Sequence, residues 1–478
     1  MAESLKKKTI HGVLWSTLER FSVQGIQFVV MIIMARMLTP NDYGLVGMLT
    51  VFIAVSQSLV DSGFSQALIR KQNRTETDNS TVFYFNLVVG LLLYGVLFIV
   101  APLIADFYNE PQLISITRVI GLSILFNSLV VVQRALLTIK IDFKTQAKAA
   151  LIAAISSGAV GIWMASSGYG VWSIVMQQLM NLGINVLLLW MLSHWRPRWV
   201  YSWKSFQELF GFGSKLLVSG LIDTLYRNIY LIVIGKVFSA SDLGYYTRAH
   251  QFTDFPSSNL TGIIQRVTYP ILCSIQNEDD RLANVYRKFL RISAFVIFPL
   301  MMGLAAVAKP LVLILLKEQW LFTATLLSII CFQMMWYPIH SINLNLLQVK
   351  GRSDLFLKLE IYKKIVGIVI LCITIPLGLM AMCIGGFFSS MIALIINTHY
   401  TGQLIQVGYF RQMRDLMPTF SLSVSMGVVV YLAINTFSIN PIAQLGIGIF
   451  IGILYYVLLA LLFKFSELKE LLQLLRRK

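Results

Sequence analysis

Charge is scarce in this chain. Of its 478 residues only 13% are charged and 57% are hydrophobic, where a soluble domain carries roughly 25% charged residues. With a mean hydropathy of +0.73, this much apolar surface has to face lipid rather than one water-excluding core. Cysteine is sparse too. Cys273, Cys331, Cys372 and Cys383 all lie in or at the ends of apolar segments, without metal-ligand or redox spacing, and read as packing residues. No phosphate-cradling GxxxxGK[ST] occurs, which excludes nucleotide hydrolysis by that route. There is no HExxH, and His11, His194, His250, His340 and His399 lie far apart, so no metal and no cofactor is expected. Long hydrophilic segments are missing as well. The expected outward loops at 105–112, 166–170, 377–380 and 438–444 are short, and no soluble domain interrupts the chain.

What remains is apolar helix. A spanning helix needs about 20 predominantly apolar residues. The sequence predicts fourteen, at 11–35, 45–68, 81–104, 113–138, 147–166, 170–192, 212–235, 245–274, 290–308, 321–347, 357–376, 379–400, 418–437 and 442–463. The expected architecture is an all-α polytopic membrane protein. The eighth span is long, polar in places and broken by Pro256 and Pro270. The first apolar segment follows Lys6, Lys7 and Lys8 and lacks a small-x-small cleavage site, so it reads as a retained helix. Lys and Arg set the orientation. With the N-terminus inside, only Arg36, Lys236, Arg248, Lys309 and Lys317 fall on the outer side, and Arg20, Arg118, Arg134, Arg227 and Arg266 sit within spans. All other basic residues are cytoplasmic, which places both termini there. This distribution also accounts for the net charge of +17 without nucleic acid. At the C-terminus, 466–478 carries Leu468, Leu471, Leu472 and Leu475 on one face, an amphipathic helix lying on the inner membrane surface.

One stretch occurs twice. Arg36-Met-Leu-Thr-Pro-Asn-Asp42-Tyr-Gly44 is matched, 200 positions on, by Lys236-Val-Phe-Ser-Ala-Ser-Asp242-Leu-Gly244. Each copy follows one long apolar segment and opens another, the mark of a transporter built from two related halves. The expected division is a first lobe of helices 1–6 at 1–199, a second of helices 7–12 at 200–403, and two further helices with the tail at 404–478.

Charges inside spans are costly and normally face a partner or a polar cavity. Span 1 carries Arg20, Gln24 and Gln27 on one face, bordered by Glu19. Span 7, its repeat counterpart, carries Ser219, Asp223, Arg227 and Tyr230. Asp223 and Arg227 are four apart and can pair. Two repeat-related helices both turning a polar stripe inward point to a hydrated cationic cavity. Salt bridges tying helices together are the plainer account of any single charge. Asp61 stands at the depth of Arg20 and could pair with it. Arg118 is in the outer part of span 4, Arg134 near an inner end where it can snorkel, and Asp254 and Arg266 in span 8. Gly448 and Gly452 form a small-xxx-small pair that permits close helix contact.

The motif of residues 36–44 appears with Asp61-Ser-Gly-Phe-Ser-Gln-Ala-Leu-Ile69, Gly244-Tyr-Tyr-Thr-Arg-Ala249 and Asn343-Leu-Asn-Leu-Leu-Gln-Val-Lys-Gly-Arg-Ser-Asp354. In these phrases, and over nearly its whole length, the chain resembles the bacterial Wzx-type polysaccharide flippases, in their colanic-acid-exporter-like branch. These belong to the multidrug/oligosaccharidyl-lipid/polysaccharide exporter superfamily. The resemblance implies two pseudo-symmetric six-helix lobes around a central cavity plus two C-terminal helices, in the bacterial inner membrane. It implies a transporter rather than an enzyme, moving an undecaprenyl-diphosphate-linked oligosaccharide between leaflets by alternating access. Arg20, Gln24, Gln27, Arg118, Arg227 and Arg266 are then candidates to bind the substrate. Glu19, Asp61, Asp223 and Asp254 are candidates to carry a coupling H+ or Na+. Implied partners are membrane lipids and other polysaccharide assembly proteins. Two other classes stay open: a drug or cation antiporter of the same superfamily, which calls for an acidic cavity, and a membrane-embedded polymerase, which calls for a sizeable outward loop.

Overall fold

The computed structural model describes residues 15, 21–436 and 439–470. Among the described residues there is helix and connecting turn but no strand. The helices are α1 (Phe21–Ala35), α2 (Pro40–Asp61), α3 (Phe64–Arg70), α4 (Glu76–Tyr108), α5 (Leu113–Ile120), α6 (Leu122–Ser128), α7 (Val131–Ile139), α8 (Phe143–Ser166), α9 (Val171–Leu192) and α10 (Trp203–Arg227). They continue as α11 (Ile229–Val237), α12 (Ala240–Ser274), α13 (Asp279–Ala306), α14 (Ala308–Leu316), α15 (Leu321–Met334), α16 (Tyr337–Val349), α17 (Ser353–Thr374), α18 (Leu379–Ile405), α19 (Tyr409–Thr436) and α20 (Pro441–Leu462).

Every expected span coincides with helix over its described part. Among the described residues ten helical segments are long and apolar enough to cross a membrane, and α10 with α11 makes an eleventh, bent by 41°. The other three expected spans are α1, whose beginning lies outside the described residues, and the more polar α12 and α17. The chain is an all-α polytopic membrane protein. Its lipid-facing sides are visible as apolar residues left uncovered, such as Leu92, Ile99 and Leu103 on α4 and Phe450, Ile453 and Leu462 on α20.

Local chemistry sets the helix ends. Thr39 and Thr75 cap α2 and α4 as reciprocal capping boxes with Asp42 and Asp78, each satisfying two otherwise orphaned backbone donors. Ser62 (φ 44°) and Gly63 (φ 70°) are both left-handed, which ends α2 and turns the chain into α3. One expectation needs correcting: Pro256 and Pro270 do not break span 8, and α12 runs unbroken for 35 residues through both. Side chains serve the backbone beside Pro256. Asn259 Nδ2 donates to Phe255 O (2.8 Å) and Thr261 Oγ1 to Ser257 O (2.7 Å), on either side of the proline.

The chain forms two compact units, Met1–Gly244 and Tyr245–Lys478. In the first, α8 and α9 pair as a hairpin, and α1 lies on α8 so closely that a Cβ at Gly158 would meet Val30 at 2.5 Å. Phe64, Leu68, Val82, Phe83, Val132 and Leu209 make a buried core at one end. That α10 and α11 belong to this unit bears on function, because the repeat places them at the head of the second half. In the second unit α13 packs along α19, fastened by a two-bond ion pair from Arg287 to Asp415 (2.6 Å each). A buried amide network joins α13, α16, α18 and α19. Gln412 Nε2 donates to Asn343 Oδ1 (3.1 Å), Thr401 Oγ1 (3.0 Å) and Val407 O (3.0 Å), with Tyr286 Oη at 3.3 Å. Glu467 and Glu470, at the start of the expected amphipathic tail, bridge to Arg291 (3.5 Å) and Lys288 (3.0 Å) on α13. The rest of that tail, 471–478, lies outside the described residues.

Candidate functional site

The duplicated motif has a physical meaning in each of its repeated positions. At the first copy Asp42 N–H donates to Thr39 Oγ1 (3.3 Å) while Thr39 N–H donates to Asp42 Oδ2 (2.8 Å). At the second, Asp242 N–H donates to Ser239 Oγ (3.0 Å) and Ser239 N–H to Asp242 Oδ2 (3.2 Å). The repeated Asp is therefore the third residue of a capping box that starts α2 and α12. The hydroxyl partner, Thr39 or Ser239, sits at the same repeat position and gave the signal that the motif reading passed over.

The repeated Gly is a crossing point. A Cβ on Gly44 would stand 1.6 Å from Ala240 O, and one on Gly244 would stand 1.9 Å from Pro40 O. The two helix starts thus cross backbone to backbone, each glycine lying under the other copy's first helical residue. No side chain fits at either position while this crossing holds.

A second crossing closes the other end of α2. A Cβ on Gly63 would lie 2.7 Å from Gly213 O, and one on Gly213 would lie 2.5 Å from Ser62 O. Between the two crossings Ser58 Oγ meets Thr224 Oγ1 at 3.3 Å. Gly44 and Gly63 are roughly 28 Å apart at 1.5 Å per residue, close to the hydrocarbon thickness of about 30 Å. The start of α12 thus crosses α2 at one end and α10 crosses it at the other, about one hydrocarbon thickness apart. Charge and aromatics reinforce the Gly63 end. Lys71 Nζ bridges Asp78 and Glu208 at 3.0 Å each, and Arg70 lies over the Phe212 ring at 4.5 Å. Partial burial works against the charge on Lys71. The bonds from Glu208 and Asp78 outweigh it and hold the pKa above the ordinary lysine value. Sequence reading missed all five residues Gly63, Lys71, Glu208, Phe212 and Gly213 as a group, because no pattern along the chain joins 63–71 to 208–213.

The polar stripe of span 7 runs along the same helix. Arg227 Nε bonds Asp223 Oδ2 at 2.7 Å, as expected from their spacing, yet the two side chains remain 74% and 45% exposed. Arg227 is the last residue of α10, where the guanidinium meets the negative end of the helix dipole. At Asn228, whose Nδ2 donates to Thr224 O (2.8 Å), the axis turns by 41°. Neither Gly nor Pro marks this break in the sequence. On α1, Gln27 is exposed and Gln24 half-buried, and among the described residues Gln24 Oε1 meets no hydrogen-bond donor. Arg20 and Glu19 lie outside the described residues, and with them the expected Arg20–Asp61 pair.

Other candidates have local partners. Asp61 accepts from Ser65 N–H (3.3 Å) and Ser65 Oγ (2.6 Å), opening α3. Arg118 lies 4.4 Å over the Phe98 ring, so it stacks between α4 and α5. Arg134 donates to Asn185 Oδ1 (3.1 Å). In the second unit Asp254 accepts from Ser258 Oγ, and Arg266 is exposed on α12.

Comparison with known proteins follows the same line. The chain is 25% identical over 465 residues to the teichuronic acid biosynthesis protein TuaB of Bacillus subtilis, covering 95% of this chain and 96% of that one. It is 25% identical over 397 residues to the lipopolysaccharide biosynthesis protein WzxC of Escherichia coli, covering 83% and 80%. Its fold matches the lipid II flippase MurJ in an inward closed conformation, with a TM-score of 0.77 at 15% identity, over 94% of this chain and 98% of that one. An inward-facing multidrug-resistance MATE transporter follows at 0.61 and 15% identity, over 81% and 96%. Residues 33–325 match the model of a family described as polysaccharide biosynthesis protein, and the chain belongs to that family.

Proposed function

We propose that the chain is a flippase that carries an undecaprenyl-diphosphate-linked oligosaccharide from the inner to the outer leaflet of the bacterial inner membrane. The observation that carries this reading is the Asp223–Arg227 pair, left exposed at a break in a spanning helix. A charged pair at that depth is stable only against water or a polar ligand, and broken helices at mid-membrane are where transporters hold polar substrates. A diphosphate offers oxygens that can take over the guanidinium from Asp223, because charge-assisted bonds to phosphate match those to carboxylate. Membership of a polysaccharide biosynthesis family and the lipopolysaccharide and teichuronic acid relatives fit the same cargo.

The proposed cycle is alternating access. Both termini are cytoplasmic, the Gly44–Gly244 crossing faces outward, and the Gly63–Gly213 crossing faces inward. The functional lobes are 1–199 and 200–403, with 404–478 accessory. Gln24, Gln27 and Arg118 join Arg227 as substrate-binding candidates of the first unit and Arg266 is the candidate of the second, and a proton or sodium ion carried at Asp223, Asp61 or Asp254 couples the cycle to a gradient. The work is transport and not bond chemistry.

The test uses the purified chain in sealed vesicles with a fluorescent lipid-linked oligosaccharide, quenched from outside. Wild type should move it between leaflets, and Arg227→Ala should move it at least tenfold more slowly while folding and inserting normally. The double change Asp223→Ala with Arg227→Ala leaves no unpaired charge. If it restores wild-type flipping, Arg227 is only a structural partner and the substrate role is lost. If wild type moves no such lipid under an imposed gradient, the flippase reading itself fails.

A further inference from the structure

The second unit holds a cavity of about 770 Å3 between α13, α19, α20 and the 466–470 segment, a size that suits a ligand of some tens of atoms. Its lining is unevenly satisfied. Both carboxylates are engaged: Asp415 holds Arg287 through two bonds of 2.6 Å, and Glu467 holds Arg291 at 3.5 Å and Ser466 Oγ at 3.1 Å. Among the described residues the polar groups left over are one guanidinium and two hydroxyls. The Arg414 guanidinium is exposed at the mouth, two turns into α19, and the hydroxyls of Ser421 and Tyr455 line the cavity behind it. Arg414, Ser421 and Ser425 stand at i, i+7 and i+11, one face of α19, about 16 Å from first to last. Leu422, Leu459, Phe463 and Phe465 supply the apolar wall, and Phe463 is 66% exposed where α20 ends.

A cation at the mouth, neutral hydroxyl donors behind it and an apolar wall opening at a helix end describe one ligand class. We propose that this cavity binds an anionic glycerophospholipid of the inner leaflet. The phosphate lies on Arg414, the ester carbonyls accept from Ser421 and Tyr455, and the upper acyl chains lie along Leu459 and Phe463. Charge complementarity selects this occupant. Among the described lining residues both carboxylates already face an arginine while Arg414 faces no carboxylate, so an anionic headgroup pairs the remaining charge and a zwitterionic one adds an ammonium group beside it. The site is separate from the Arg227 stripe, so the inference stands whether or not the chain transports a lipid-linked glycan.

The measurement is binding alone. The full-length protein is stripped of lipid in detergent and titrated with phosphatidylglycerol or phosphatidylcholine, with retained lipid read by native mass spectrometry and folding by thermal unfolding. Wild type should hold one phosphatidylglycerol at least tenfold more tightly than phosphatidylcholine. Arg414→Gln should remove that preference and leave phosphatidylcholine unchanged. Ser425→Phe, which fills the cavity, should abolish retention of the tight phosphatidylglycerol with little change in unfolding temperature. Equal binding of the two lipids by wild type, or undiminished preference in both variants, overturns the proposal. Displacement of the bound lipid by polyprenyl diphosphate in preference to phosphatidylglycerol also overturns it, by assigning the cavity to the transported lipid. If inorganic phosphate alone competes as well as the lipid, the site is a phosphate site without a lipid role, and the proposal fails.

Discussion

Adding one methyl group at each end of the α2 seam should push the protein in opposite directions. A Cβ at Gly44 stands 1.6 Å from Ala240 O and must retreat by about 1.8 Å to reach the 3.4 Å of ordinary contact. At Gly213 the nearest oxygen, Ser62 O, is at 2.5 Å, and the needed retreat is about 0.9 Å. Overpacking a tight contact costs about 1–3 kcal/mol, so Gly44→Ala belongs at or above the upper end and Gly213→Ala near the lower. If the crossings are gates, each cost falls only on states in which that gate is shut. About 3 kcal/mol then shifts the two-state ratio by roughly 150-fold, and about 1 kcal/mol by roughly fivefold. Crosslinking reads this out at both ends, with cysteines replacing Asn41 and Ser241 beside the first crossing, or Lys71 and Glu208 beside the second. Gly44→Ala should lower the Asn41–Ser241 yield sharply and leave the Lys71–Glu208 yield at or above wild type. Gly213→Ala should do the reverse, more weakly. Equal loss at both ends together with a lower unfolding temperature would mean that the seam is a fixed structural contact, and the gating argument would be wrong.

Two further outcomes follow from the same structure. Single cysteines at Asn109 and Asn440 of a cysteine-free version should react with an impermeant reagent in intact cells, while cysteines at Asn73 and Phe410 should not; reaction of Asn73→Cys from outside reverses the topology. Gln412→Leu removes the donor to Asn343, Thr401 and Val407 in a fully buried network. With unmet buried groups costing about 1–3 kcal/mol each, the unfolding temperature should drop by several degrees, and an unchanged value would show that water replaces the amide.

The helices were legible in the sequence because their cause is local. About 20 apolar residues between polar ends make a span in any tertiary context, and the expected spans all fall on helix. The duplicated motif was legible for the same reason, since a capping box and a close-crossing glycine leave a fixed spacing along the chain. The Asp223–Arg227 pair was legible as an i, i+4 contact. The Gly63 end of the seam was not, because Gly213, Glu208 and Phe212 meet residues 63–71 only through folding. The break after Arg227 was equally hidden, since Asn228 is neither Gly nor Pro. Pro256 and Pro270 misled in the other direction. Both prolines lie inside α12, and the helix continues through them.

The seam's chemistry suits a contact that opens. Its two ends are held by backbone crossings at glycine, where the attraction is dispersion and weak Cα–H···O contact worth perhaps 0.5–1 kcal/mol apiece. Its middle is a single hydroxyl pair, Ser58 with Thr224, within the 0.5–1.5 kcal/mol of an ordinary hydrogen bond. At the Gly63 end the Lys71–Glu208 bridge is partly open to solvent, where such pairs contribute about 0–1 kcal/mol. At that end Phe64 and the buried Leu209 also pack with the rings of Phe206 and Phe210, so parting that crossing costs apolar burial as well. Moving a gate from 1:99 to 99:1 needs about 5.5 kcal/mol of differential binding. A diphosphate engaging Arg227 through a few charge-assisted bonds, at about 1.5–3 kcal/mol each, is of that order. The glycines of the repeat let the two helix starts meet backbone to backbone, so the gating prediction is sharpest at Gly44, where the approach is closest.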